Sequence, residues 1–156
     1  EVPPSQWTFT DVPYGSTFWL WVERLSNREV MSGYPCGQDP NEPCDDQNRP
    51  YFHPYDNTNR GQLMKIVNNT SNGSLLMGDA PAHRPTFADV PATHTFYAYV
   101  EGLLADHPGL VRGYACGGPG EPCNSAEDPY FRPEGLLTRA QTAKVVSNAF
   151  FPNCAP

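Results

Sequence analysis

The chain has 156 residues, with 17 acidic side chains against 10 lysines and arginines, 18 prolines, 13 glycines and a formal net charge of −7. That balance excludes a nucleic-acid binder, which needs a basic face to release counterions from phosphate, and no apolar run approaches the ~20 residues that span a bilayer. Proline and glycine at these levels make long loops, yet 8 Tyr, 8 Phe and 3 Trp are too many aromatics for a disordered chain, so a folded, loop-rich protein is expected.

Residues 1–8 (EVPPSQWT) form a Pro-rich extended arm ending near Trp7, the kind of segment that packs on a neighbour or frays. The chain opens at Glu1 without a methionine, as a processed, exported chain does. After Phe9-Thr-Asp-Val-Pro13, the residues Phe18, Trp21, Val22 and Leu25 follow helical spacing and predict a helix with these side chains in the core. Ser16 or Thr17 is its expected cap. Trp19 lies off that stripe and is expected at the surface.

Gly33 closes this segment where a turn would need a positive φ. Cys36 and Cys44 then bracket GQDPNEP. The gap is longer than zinc sites favour, and a local disulfide is the preferred reading. Pro50-Tyr-Phe-His-Pro54 suits an edge strand or an extended plug that sets Phe52 into the core. Asn59-Arg-Gly-Gln62 has capping-box spacing and predicts a helix to about Asn69 that buries Met64, Ile66 and Val67. A Ser/Asn/Gly-rich linker follows at 71–86, and around its start fall three sequons, at Asn68, Asn69 and Asn72, candidates for N-glycosylation.

The second part of the chain then repeats the first. Phe87-Ala-Asp-Val-Pro91, a helix with Phe96, Tyr99, Val100 and Leu103 after a Thr95 cap, Gly113-Tyr114, the pair Cys116 and Cys123 around GGPGEP, Phe131-Arg-Pro133 and Thr138-Arg-Ala-Gln141 recur in the same order. Phe9 and Phe87 lie 78 residues apart, Tyr34 and Tyr114 80, and Arg60 and Arg139 79. Tyr97 matches the off-stripe Trp19, and the last helix should bury Ala143, Val145 and Val146. The expected fold class is mostly α with long loops: two helix-loop-helix units, 9–70 and 87–150, each with a disulfide-closed loop and a short extended segment. A tail at 151–156 carries the unpaired Cys154. Units of this size usually bury their apolar faces on a neighbour.

The order Phe-x-Asp-Val-Pro, aromatic helix, Gly-Tyr, Phe-x-Pro and Thr-Arg-Ala-Gln resembles the S-layer homology (SLH) module, twice over. The resemblance covers nearly all of the chain outside arm, linker and tail. It implies a mostly helical, exported cell-surface protein. In that family such modules anchor proteins to cell-wall polysaccharide, and the resemblance makes Arg139 and Arg60 the glycan contacts. A planar guanidinium fork suits an anionic sugar substituent.

Other chemistry is less well marked. The histidines at 53, 83, 94 and 107 are scattered, and no catalytic motif occurs, so no enzyme activity is expected. Asp39, Glu42, Asp45 and Asp46 in the first cystine loop, with Glu121, Glu127 and Asp128 in the second, are hard oxygen ligands that could take Ca²⁺. The expectation is a noncatalytic, secreted structural protein that forms a homo-oligomer or polymer, a surface layer or filament, with Trp7, Trp19, Tyr97 and Cys154 in assembly. Only two modules are present, where SLH anchors commonly use three. The rival is a wall-polysaccharide anchor.

Overall fold

A computed structural model of the chain describes residues 7–70 and 84–150. Its regular structure is four helices, α1 (Trp19–Ser26), α2 (Arg60–Thr70), α3 (Tyr97–Asp106) and α4 (Arg139–Phe150). Among the described residues the only β pairing is isolated bridges, Tyr34 with Tyr51 and Tyr114 with Tyr130 among them. Two disulfides, Cys36–Cys44 and Cys116–Cys123, close the loops. No helix is long and apolar enough to cross a membrane.

The chain divides into two compact units, Glu1–Asp56 and Asn57–Pro156. This boundary falls inside the first sequence copy. The helix read as the close of copy 9–70 therefore belongs to the second compact unit, where α2 packs on α3 and α4.

Both units build the same frame. Phe9 and Phe52 meet with ring centroids 5.1 Å apart, and Phe87 and Phe131 at 5.2 Å. The aspartate of each Phe-x-Asp-Val-Pro segment accepts two backbone N–H bonds from the Phe-x-Pro segment. Asp11 takes Phe52 N and His53 N at 2.8 and 2.7 Å, and Asp89 takes Phe131 N and Arg132 N at 2.7 and 2.6 Å. His53 and Arg132 both sit at φ 59°, an uncommon backbone region for non-glycine residues, held here by the carboxylate. Phe131 reaches the core as expected, and Phe52 is partly buried against its own.

The first helix of each unit differs from its expected register. Its N-caps are Phe18 and Phe96, with no side-chain cap, and not Ser16, Thr17 or Thr95. The inward face carries Trp19, Val22 and Glu23 in α1, and Tyr97, Val100 and Glu101 in α3. Trp19 and Tyr97 are only 6% and 7% exposed, which corrects their placement at the surface. Phe18 and Trp21, expected inside, are 43% and 60% exposed. The cause is a buried carboxylate. Glu23 accepts the Thr8 N–H and hydroxyl at 2.6 and 2.8 Å, and Glu101 does the same for Thr86, both at 2.8 Å. A paired, buried carboxylate turns the helix so that Glu and its i−4 and i−1 neighbours face inward.

Gly33 and Gly113 also act differently from the expected positive-φ turn, since neither adopts one. A Cβ on Gly33 would collide with Tyr51 O and the Phe9 ring, and one on Gly113 would come within 2.6 Å of the Phe87 ring. Close approach of backbone to ring is what glycine permits here.

Both expected capping boxes form. Gln62 N and Asn59 N bond reciprocally to Asn59 Oδ1 and Gln62 Oε1 at 2.8 and 2.9 Å, and Gln141 N and Thr138 N pair likewise at 3.2 and 2.9 Å. Met64, Val67 and Val145 are buried, Ile66 and Val146 partly so, and Ala143 is exposed. Gly61 lies against the Phe96 ring so closely that a Cβ would overlap it. Gly61→Ala should therefore lower stability by roughly 1–3 kcal/mol despite the better helix propensity of Ala, as read from the midpoint of denaturant unfolding.

Candidate functional site

Arg60 stands at the first turn of α2, and the second unit is built around it. Its Nε–H donates to the Phe131 carbonyl at 2.8 Å, and an η nitrogen to the Arg112 carbonyl at 3.3 Å. The guanidinium lies 4.7 Å from the Phe131 ring centroid and 5.3 Å from that of Tyr114. The backbone on either side joins in. Arg60 N donates to Gly135 O at 3.0 Å, Gly61 N to Pro133 O at 2.9 Å and Leu137 N to Thr58 O at 3.4 Å. The Asn59 amide donates to Glu134 Oε2 at 2.8 Å. Burial pulls the Arg60 pKa below its ordinary value, with the charges of Tyr114 and Asp89 opposing the shift. Arg60 thus fills a socket of three carbonyls and two rings.

Arg139, its counterpart at the first turn of α4, is exposed, and no hydrogen bond or ion pair holds it among the described residues. The two arginines expected to share one role are in different settings: one is a plug, the other faces outward.

The first unit has a cleft of about 310 Å³ lined by Asp11, Glu42, His53, Pro54, Tyr55 and Asp56. His53 Nε2 contacts Glu42 Oε1 at 2.6 Å, and its ring stacks on Tyr34 at 4.8 Å. In the second unit Arg132 takes the same position, bonded to both Glu121 oxygens at 2.6 and 2.8 Å and lying 3.8 Å from the Tyr114 ring centroid. That pairing holds the Glu121 carboxyl below and the Arg132 guanidinium above their ordinary values. The first unit exposes Tyr14, Phe18, Trp21, Tyr34 and Tyr55; of these Tyr55 lines the cleft, Tyr34 stacks on His53, and Phe18 meets Tyr55 at 6.0 Å. In the second unit Phe96 and Tyr99, the counterparts of Phe18 and Trp21, pack against the core, Gly61 lying on Phe96 and Lys65 over Tyr99 at 5.9 Å.

The carboxylates considered for Ca²⁺ are not brought together. Asp39 bonds Asn41, Asp45 bonds Arg49, Glu42 meets His53, Glu121 meets Arg132, and Asp128 is held by Arg84 and Asn124. Asp46 and Glu127 are exposed. Among the described residues no group of three or more metal-ligating side chains is gathered, because local cations and amides already satisfy most of these oxygens.

Of the sequons, Asn68 is 5% exposed inside α2, Asn69 is partly exposed, and Asn72 lies outside the described residues. Trp7 is half-buried on the first unit's core, with Arg49 over its ring at 4.3 Å, so it is part of its own unit and not a free arm. Cys154 lies outside the described residues. Phe18 and Trp21, expected in the core, are exposed because the buried glutamate sets the register of the helix. A glutamate two residues after Trp21 and Tyr99 in both copies was the available signal.

No protein-family model and no curated protein sequence matches the chain.

Two outcomes follow from this geometry. Arg60→Ala should cost roughly 2–3 kcal/mol, since it leaves desolvated carbonyls without a charged donor, and Arg60→Lys should recover less than half of that because a point charge cannot bridge the same partners; thermal denaturation reads both. Asp45, which accepts the Arg49 N–H and side chain and the Gln47 N–H, has its pKa lowered from 3.8 to about 2. A depressed folded value means that the contact is intact above pH 3.8 and is lost as pH falls through 2. NMR titration of the Asp45 carboxyl should place its midpoint near the lower value, and Arg49→Ala should move it upward.

Proposed function

We propose that the protein is a noncatalytic extracellular structural subunit that associates with copies of itself, its repeated units being variants of the SLH module. The observation that carries this reading is the exposed aromatic face of the first unit. Phe18 and Trp21 stand out to solvent at positions whose counterparts, Phe96 and Tyr99, pack against the second unit's core. A cluster of large exposed rings on one surface is a feature of interaction sites, and aromatics are enriched where proteins meet. Two disulfides in a short chain accord with an oxidising, extracellular setting. The wall-polysaccharide anchor is the second reading, favoured by the outward-facing Arg139.

The two part on the need for wall material. Self-association predicts species larger than the 17.3 kDa chain in sedimentation velocity, growing with protein concentration in buffer alone. Trp21→Ser should shift that concentration dependence at least tenfold. A monomer at every concentration, retained on purified cell-wall polysaccharide and released by Arg139→Ala, would overturn self-association in favour of the anchor.

A further inference from the structure

The second unit contains both halves of a joint, a socket and the α2 segment that fills it, whereas the first unit contains a socket alone. The frame behind the two sockets is the same. Asp56 N bonds His53 O at 3.1 Å where Gly135 N bonds Arg132 O at 3.0 Å, and the Asp11 and Asp89 clamps match in length within 0.1 Å. Phe52, Pro54 and Asp56 therefore present their carbonyls as Phe131, Pro133 and Gly135 do. In the second unit those three carbonyls accept Arg60 Nε, Gly61 N and Arg60 N. Among the described residues nothing donates to the carbonyls of Phe52, Pro54 or Asp56.

The matching plug is also in the chain. α4 repeats α2 at an offset of 79 residues, with Arg139 for Arg60, Ala140 for Gly61, Gln141 for Gln62 and Ala143 for Met64. The chain's only two lysines, Lys65 and Lys144, occupy the same place. α4 is anchored in the second unit through Val145 and Ala149. It leaves Arg139, Ala140, Ala143, Lys144 and Ser147 exposed, the positions whose α2 counterparts include the buried Gly61, Met64 and Asn68.

We infer that α4 of one copy docks into the first unit of a second copy as α2 docks into the second unit, with Arg139 entering the carbonyl socket beside Phe52. Charge agrees. The cleft beside that socket is lined by Asp11, Glu42 and Asp56, so it is acidic where Arg139 must enter, and Asp11 stands where Asp89 acts on Arg60. On the socket side Trp21 stands for Tyr99, whose ring lies under Lys65 of α2 at 5.9 Å, and Lys144 of α4 stands for Lys65. Ala140 adds a Cβ where Gly61 has none, so in this joint Phe18, 43% exposed and edge-on to Tyr55, shifts from the position that Phe96 holds over Gly61. The joint is heterologous. Each copy offers one plug and one socket, which yields an open filament unless the rotation per copy closes a ring.

This inference rests on the self-association reading, and the test separates the two. In the full chain with Cys154→Ser, Phe18→Cys and Ala140→Cys are made as separate variants, mixed and oxidised mildly. The expected product is the mixed disulfide dimer, at least tenfold over either homodimer and absent when Ala126→Cys, in the exposed turn after Cys123, replaces Ala140→Cys. Arg139→Glu, which leaves the aromatic face intact and alters a residue that the fold does not use, should raise the protein concentration needed for assembly at least tenfold by sedimentation velocity. Polymers that form without the mixed dimer, or that Arg139→Glu does not weaken, overturn the docking of α4 while self-association stands. A chain that stays monomeric at all concentrations overturns both.

Discussion

Everything else in each unit depends on one carboxylate clamp. Asp11 and Asp89 each bridge two consecutive backbone N–H groups from 41 to 43 residues further along the chain. Charge-assisted bonds of this kind are about twice as strong as neutral ones, and a loop-rich chain with few ladders has little else to fix its register. The clamp seats Phe52 and Phe131 against Phe9 and Phe87. It also holds His53 and Arg132 at positive φ, which turns the chain back and leaves the preceding carbonyl available. The short disulfide next to it adds a covalent restraint on the loop, modest for so small a ring.

The second constraint is the buried glutamate of the first helix. Glu23 and Glu101 accept both the N–H and the hydroxyl of Thr8 and Thr86, stapling each unit's entry segment to its helix. Leaving either carboxylate unpaired would be costly, so the helix rotates to satisfy it even though two aromatic rings move outward. In the second unit α2 covers those rings. In the first they remain at the surface, so two otherwise matching units differ in what they expose.

That asymmetry relates structure to function. In the second unit α2 donates to the carbonyls of Phe131, Pro133 and Gly135, while the matching carbonyls of the first unit and the exposed face of α4 are what the proposed assembly would use. The same logic underlies stacked repeat proteins, where each unit buries its neighbour's apolar face. The arginine at the start of the closing helix is well suited to this work because a guanidinium can stack on rings while donating to carbonyls in different directions. A glycan-binding role for Arg139 and an assembly role would use the same exposed fork, and they differ in what the fork meets.

Much was legible in the residues themselves. The tandem order of motifs, the two local cystines and the two capping boxes follow from local chemistry: short spacing between cysteines, and a polar cap three residues before glutamine. The entry of Phe131 into the core was legible for the same reason, a proline-flanked aromatic having few extended conformations open to it. What only the tertiary structure decided is where each unit ends and which way its helices face. Hydrophobic spacing placed Phe18 and Trp21 inside, but a buried carboxylate with a distant threonine partner outweighs one turn of apolar periodicity, and that partner cannot be read from helical spacing. Likewise Arg60 and Arg139 stand in nearly the same local sequence, yet one is half-buried in a carbonyl socket and the other is exposed, because burial depends on what segments distant in the sequence supply and not on the residues alongside.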